Sequence, residues 1–159
     1  MRTQTQSVAR KFWIVFPMVM RTIFAESRKG DPNLAPNHFR VLIAISARNC
    51  NLSELAEHQN VSLPSMSSTV QTLVERGWLE RDRSADDRRE VTLRMTEEGR
   101  RVLASEHRRL TEWVASKMES LDPKDVKRVE RALDILLNLF EKSHSEHIEF
   151  TAIKRVKIK

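Results

Sequence analysis

Five small polar side chains, Ser65, Ser67, Ser68, Gln71 and Thr72, are the residues whose types and spacing best suit recognition of a partner. They fall on a segment that reads as a helix. Ser62 can act as its N-cap, Pro64 sits in the first turn where a missing N–H is tolerated, and Met66, Val70 and Leu73 recur at helical spacing on the buried side. An ordinary solvated helix face carries Lys and Glu. This one carries hydroxyls and a carboxamide, groups that donate and accept hydrogen bonds at close range and that suit base edges in a major groove. A plain solvent-exposed helix is the alternative.

The elements that must position this face are legible on either side of it. Asn51 with Glu54 three residues on forms a capping-box pattern, starting a short helix that buries Leu52, Leu55 and Ala56. Gln59-Asn60-Val61 forms a turn into the polar helix, and Arg76-Gly77 stops that helix. Upstream, Pro36 to Arg48 is expected as a helix with Phe39, Leu42, Ile43 and Ile45 on one face. Downstream, Trp78 to Arg81 and Val91 to Met95 read as two strands joined by the charged loop Asp82 to Arg89, a hairpin with a long tip.

Two longer amphipathic regions flank this core. Residues 7–28 carry Phe12, Trp13, Val15, Phe16, Val19, Met20, Ile23 and Phe24 at near-helical spacing, with Pro17 expected to bend the helix. Thr96 caps a long helix with the stripe Leu103, His107, Leu110, Val114, Met118 and Leu121. Asp122-Pro123 starts another, whose Val126, Val129, Leu133, Leu136 and Phe140 make a seam suited to helix association. The order is helix, helix, short helix, turn, helix, hairpin and two long helices: a mainly α fold with a small β-hairpin, that is, a winged helix-turn-helix with flanking N- and C-terminal helices. The corresponding divisions are 1–34, 35–98, 99–143 and a basic tail, 144–159.

Composition bounds this reading. The 159 residues suit a compact domain with associated helices, and few Gly and Pro favour helix over sheet. The longest apolar run, Phe12 to Met20, is far too short to cross a bilayer, so no membrane partner is expected. A single cysteine, Cys50, cannot form an intrachain disulfide, which points to the cytoplasm, and a buried, inert thiol is its default role. The net charge of +6 resides outside the reader, since residues 51–95 are slightly acidic. Motif and geometry, not charge, carry the reading.

The residues Leu55-Ala56-Glu57 through Glu97-Glu98-Gly99, with Asp87-Arg88-Arg89 followed by Val91-Thr92-Leu93-Arg94-Met95-Thr96, resemble the multiple-antibiotic-resistance regulator (MarR) family. The resemblance spans roughly residues 8–142. It implies a homodimer held by the first and last helices, with Phe12, Phe16, Val129, Leu133, Leu136 and Phe140 at the interface. It further implies binding of double-stranded DNA at a pseudo-palindromic operator, with Arg89, backed by Arg88, entering the minor groove and Asp87 orienting the wing. Family members often carry Arg where this chain has Ser68 and Thr72, so readout is expected to lean on Ser65, Ser67, Ser68, Gln71 and DNA shape, with Pro64 and Thr72 completing the DNA-binding residues of the recognition helix. A dimeric repressor controlled by a small molecule, a phenol or aromatic acid, is the implied function, with Trp13, Met20, His38 and His107 as the candidate effector pocket.

The remaining groups add little chemistry. His107 beside Glu106 and the pair His144 and His147 lack partners at ligand spacing, so no metal and no cofactor is expected. No Ser-His-Asp set, Gly-rich phosphate loop or paired catalytic carboxylates can be placed, and an enzyme is not expected. Residues 148–159 fit an edge strand, a DNA-contacting arm or a disordered end. The rival function is a winged-helix protein-interaction module without DNA binding, favoured by the acidic core segment.

Overall fold

The structure, a computed structural model, describes residues 2–47, 50–83 and 91–141. It divides into two compact units, residues 1–36 and 37–159. The described secondary structure is mainly helical with one small sheet.

The first unit is essentially one helix, α1 (Arg2–Ser27), with a closing turn. It begins several residues before the apolar pattern does, because Arg2 to Gln6 contain no breaker, and it continues through Pro17 as one helix. Phe12 and Phe16, one turn apart, stack with centroids 5.4 Å apart and planes within 9°. The turn is held by Gly30 N donating to Ser27 O at 3.2 Å and by Asn33 N donating to Asp31 Oδ1 at 2.8 Å. Trp13 is 76% exposed and Ile14 70%, with Val15, Phe16, Met18 and Val19 also on the surface.

The second unit contains α2 (Pro36–Ala47, its first residue at the division), β1 (Cys50–Asn51), α3 (Leu52–His58), α4 (Leu63–Glu75), β2 (Leu79–Arg83), β3 (Val91–Met95), α5 (Glu97–Met118) and α6 (Pro123–Glu141). Its core is built from Val41, Leu42, Ala44 and Ile45 of α2, Leu55 and Ala56 of α3, Met66, Val70 and Leu73 of α4, and Leu79, Leu93 and Met95 of the sheet, with Leu103 and Leu110 from α5. Phe39 and Ile43, expected on the core face of α2, are only half-buried, and Val41 and Ala44 take the inner positions.

The sheet has three antiparallel strands in the order β1-β3-β2, where a two-stranded hairpin was expected. The added strand is short: Cys50 pairs with Leu93 and Asn51 with Thr92. On the other side of β3, Leu79 pairs with Met95 and Arg83 with Val91. Trp78, expected as the first strand residue, is buried just ahead of β2, and its carbonyl accepts from Thr96 N at 3.1 Å.

The start of α5 is locked onto this region. Thr96 caps the helix by accepting from Gly99 N at 3.0 Å, while its hydroxyl donates to Gly77 O at 2.6 Å. A Cβ at Gly99 would collide with the Trp78 carbonyl oxygen and lie 2.9 Å from Met95 Cγ, so glycine permits the close packing.

The buried stripe of α5 is Gly99, Leu103, Glu106 and Leu110. His107, placed on the stripe by its spacing, is half-buried, and Glu106 takes the inner position instead. The carboxylate is tolerated there because Arg109, one turn on, grips it with two hydrogen bonds, Nε to Oε2 at 2.9 Å and Nη2 to Oε1 at 3.0 Å.

Candidate nucleic-acid interface

The polar helix α4 is set by caps that satisfy its ends and those of its neighbour. Asn51 and Glu54 form the full capping box: Glu54 N donates to Asn51 Oδ1 at 2.9 Å and Asn51 N to Glu54 Oε2 at 3.0 Å. At the other end of α3, Asn60 N donates to Glu57 O and Val61 N to Ala56 O, each at 3.0 Å. With Asn60 at φ 53°, this is a Schellman motif using Asn rather than Gly in the left-handed position. The turn between α3 and α4 is therefore fixed by backbone hydrogen bonds.

The same device ends α4. Gly77 N donates to Val74 O and Trp78 N to Leu73 O, each at 2.9 Å, with Gly77 at φ 70°. At its start, Ser62 accepts from Ser65 N at 3.4 Å and donates from Oγ to Ser65 Oγ at 2.9 Å. Met66, Val70 and Leu73 are buried, so the opposite face of α4 must point to solvent.

Of the residues expected on that face, Pro64, Ser65, Ser68 and Gln71 are exposed. Ser67 and Thr72 are half-buried at its flanks, and Thr72 Oγ1 donates to Ser68 O at 3.1 Å, which commits its proton to the helix backbone. Gln71 is held rather than free. Its Nε2 donates to Glu75 Oε1 at 2.9 Å, and its Oε1 accepts from Arg81 Nη2 of β2 at 2.8 Å.

Arg81 was not among the sequence candidates. Leu79 and Arg81 lie on the same face of β2 by strand alternation, so the face that buries Leu79 also turns Arg81 towards α4. Arg76, which ends α4, is a second cation beside this face: its guanidinium lies 5.3 Å from the Trp78 ring centroid and its Nη1 3.3 Å from His38 Nδ1. An arginine can only donate, so that contact requires Nδ1 of His38 as the acceptor. Between residues 51 and 75 there is no Lys or Arg, and Glu54, Glu57 and Glu75 give this stretch its acidic character.

The wing residues Asp87, Arg88 and Arg89 lie outside the described residues, as do His144, His147 and the tail. The strands that lead into the wing are described, and they carry an ion pair between Arg94 Nε and Asp82 Oδ2 at 2.9 Å. A cleft of about 470 Å³ opens beside it, lined by Ile45, Ser46, Glu80, Arg94, Met95 and Arg100. Arg100 is engaged by Glu97 at 3.0 Å and by the Met95 carbonyl at 2.8 Å. Neither His38 nor His107 lines this cleft. Of the four residues expected to hold an effector, Trp13 and Met20 lie on α1, His38 on α2 and His107 on α5.

The helices expected to pair two copies leave apolar surface exposed. On α6, Leu133 is 56% and Leu139 61% exposed, with Val126, Ile135 and Phe140 also accessible; Val129 and Leu136 are half-buried. Phe16 of α1 is exposed and Phe12 half-buried. Among the described residues, no helix is long and apolar enough to cross a membrane, and no group of three His, Cys, Asp or Glu side chains could hold a metal ion.

A sequence model of the MarR family matches residues 33–90, the stretch from the entry to α2 to the wing. The uncharacterized HTH-type transcriptional regulator YpoP of Bacillus subtilis is 30% identical over 101 residues, covering 60% of this chain and 72% of YpoP. The chain belongs to the MarR family. Solved structures agree on the fold. The transcriptional regulator Tm0710 of Thermotoga maritima superposes with a TM-score of 0.71 at 21% identity, covering 87% of this chain and 99% of Tm0710. FabT of Streptococcus pneumoniae, solved in complex with DNA, gives 0.61 at 20% identity over 87% of this chain and 98% of FabT. The family and the fold of this MarR-family chain are those of transcriptional regulators rather than enzymes.

Proposed function

We propose that this MarR-family protein is a homodimeric repressor that binds a pseudo-palindromic operator in duplex DNA, one α4 helix per half-site. The observation that carries this reading is the exposed face of α4, uncharged at Pro64, Ser65, Ser68 and Gln71, on a helix capped by the Ser62 side chain at its start and by backbone hydrogen bonds at its end. Side chains of this kind approach base edges closely and hydrogen-bond to them, while phosphate contacts supply affinity from elsewhere. The FabT structure, a complex with DNA on the same fold, supports the assignment. Exposed apolar residues on α1 and α6 support pairing of two copies, because such faces seldom remain in water.

In this reading Arg89, with Arg88 beside it, enters the minor groove from the wing and Asp87 orients the loop. A phenol or aromatic acid shifts the separation of the two α4 helices, and DNA and ligand affinities then change reciprocally. Titrating a fluorescent duplex with the protein at several salt concentrations tests the core of the proposal. A steep linear fall of log affinity with log salt is expected, and affinity independent of salt would overturn it. The same titration with phenolic acids present should weaken binding; affinity unmoved by all of them would remove effector control.

The absence of Lys and Arg between residues 51 and 75 favours a second reading, a winged-helix module that binds a protein. It is separated from the first by the Arg88→Ala, Arg89→Ala double variant. DNA binding through the wing requires a loss of duplex affinity on the order of tenfold or more.

A further inference from the structure

We infer that Arg81 is a positioning residue that orients the Gln71 carboxamide, and that the base this carboxamide then reads is adenine. The inference rests on the DNA-binding reading above and adds to it the identity of one base and the residue that enforces it.

Each partner of the Gln71 amide can offer only one kind of group. A guanidinium has only donors, so Arg81 can address only the oxygen of the amide, and it does so at 2.8 Å. A carboxylate has only acceptors, so Glu75 can take only an N–H, and it lies 2.9 Å from Nε2. The two neighbours therefore distinguish the ends of the amide, which in isolation could turn over at little cost. Oε1 is held towards β2 and Nε2 towards the C-terminal end of α4.

An amide has two lone pairs on oxygen and two N–H groups. Arg81 and Glu75 use one of each. One acceptor and one donor are left over in a fixed order, on a side chain that is exposed. In the major groove, adenine offers the complement, an N6–H donor beside the N7 acceptor, whereas guanine presents two acceptors, N7 and O6. Holding the amide before the complex forms also lowers the rotamer entropy lost on binding. Because Glu75 and Arg81 carry opposite charges on the two sides of Gln71, the assembly sets orientation with little net charge.

Arg81 could instead act as an ordinary phosphate contact, and the two roles move different observables. A phosphate contact changes affinity for all sequences alike and contributes to the salt slope, whereas an orienting contact changes preference at a single base position.

The experiment uses the purified full-length protein and a duplex selected from random DNA. Each half-site position is substituted in turn, and affinities are measured by anisotropy for wild type, Gln71→Ala, Arg81→Ala and Arg81→Lys. Wild type should prefer adenine at one position per half-site by about tenfold, as expected of a bidentate base contact. Gln71→Ala should abolish that preference. Arg81→Ala should remove most of it at the same position and leave the others intact, and Arg81→Lys, which still donates to Oε1 but lacks the planar fork, should retain part of it. If Arg81→Ala weakens every duplex equally and lowers the salt slope by about one while the adenine preference stands, the positioning role is overturned. A preference for another base at the Gln71-dependent position, or an adenine preference that survives Gln71→Ala, overturns the assignment of the base. Failure of the wild type to bind any duplex at low salt would instead overturn the DNA-binding reading.

Discussion

The lobe built from α2, α3, α4 and the sheet and the helices α1 and α6 solve the problem of apolar surface in opposite ways. In the lobe, Leu42, Leu55, Val70, Leu73 and Leu79 are almost wholly buried, the helix ends are capped, and the surface left over on α4 is polar. On α1 and α6, large apolar residues remain in water. The lobe is complete within one chain, so its exposed face is available for recognition. The exposed faces of α1 and α6 require a further partner, which the proposed function supplies as a second copy.

The contrast is broken most severely on α6. Replacing exposed Leu133 and Phe140 together by Glu should leave each lobe folded yet prevent pairing, because charges would sit in the apolar seam. Sedimentation should then show a monomer, and duplex affinity should fall roughly a thousandfold as the second half-site contact ceases to be intramolecular. Unchanged sedimentation would place the interface elsewhere.

Within the lobe, Leu73→Ala opens a cavity in the best-buried part of α4 and should cost about 3 kcal/mol in denaturant unfolding. The predicted oligomeric state does not change, which separates this loss from the α6 effect. Gly99→Ala forces a methyl against the Trp78 carbonyl and should destabilise by about 2 kcal/mol. Asn51→Ala removes half of the capping box and should cost about 1 kcal/mol, measured as a lowered unfolding midpoint at unchanged slope. A loss near zero would mean that Glu54 and water replace the cap.

Much of the lobe was legible in the sequence because its signals are local. Asn51 and Glu54 are three residues apart, the Gln59-Asn60-Val61 turn is contiguous, and the Met66, Val70 and Leu73 pattern lies within one helix. The misses are long-range or electrostatic. Two-residue β1 has no periodicity to detect, and it exists because Cys50 and Asn51 meet Leu93 and Thr92 across the sheet. Glu106 follows Leu103 by three and precedes Leu110 by four, the same spacing logic that favoured His107, and its charge is tolerated inside because Arg109 neutralises it.

The candidate interface shows the same division. The polar face of α4 was legible as a list of residue types, yet the commitment of Thr72 to the backbone depends on its rotamer. The contact between Arg81 and Gln71 joins a strand to a helix, and nothing in the sequence between them signals it. A charged residue on the Leu79 side of β2 was the available clue, since alternation turns it towards α4.

Selection of bound fragments from random duplex DNA reports recognition and pairing together. A homodimer with one α4 per half-site should enrich an inverted repeat whose half-sites lie one helical turn apart, about 10–10.5 base pairs centre to centre. Enrichment of a single unpaired half-site, or of no sequence at all, would contradict it.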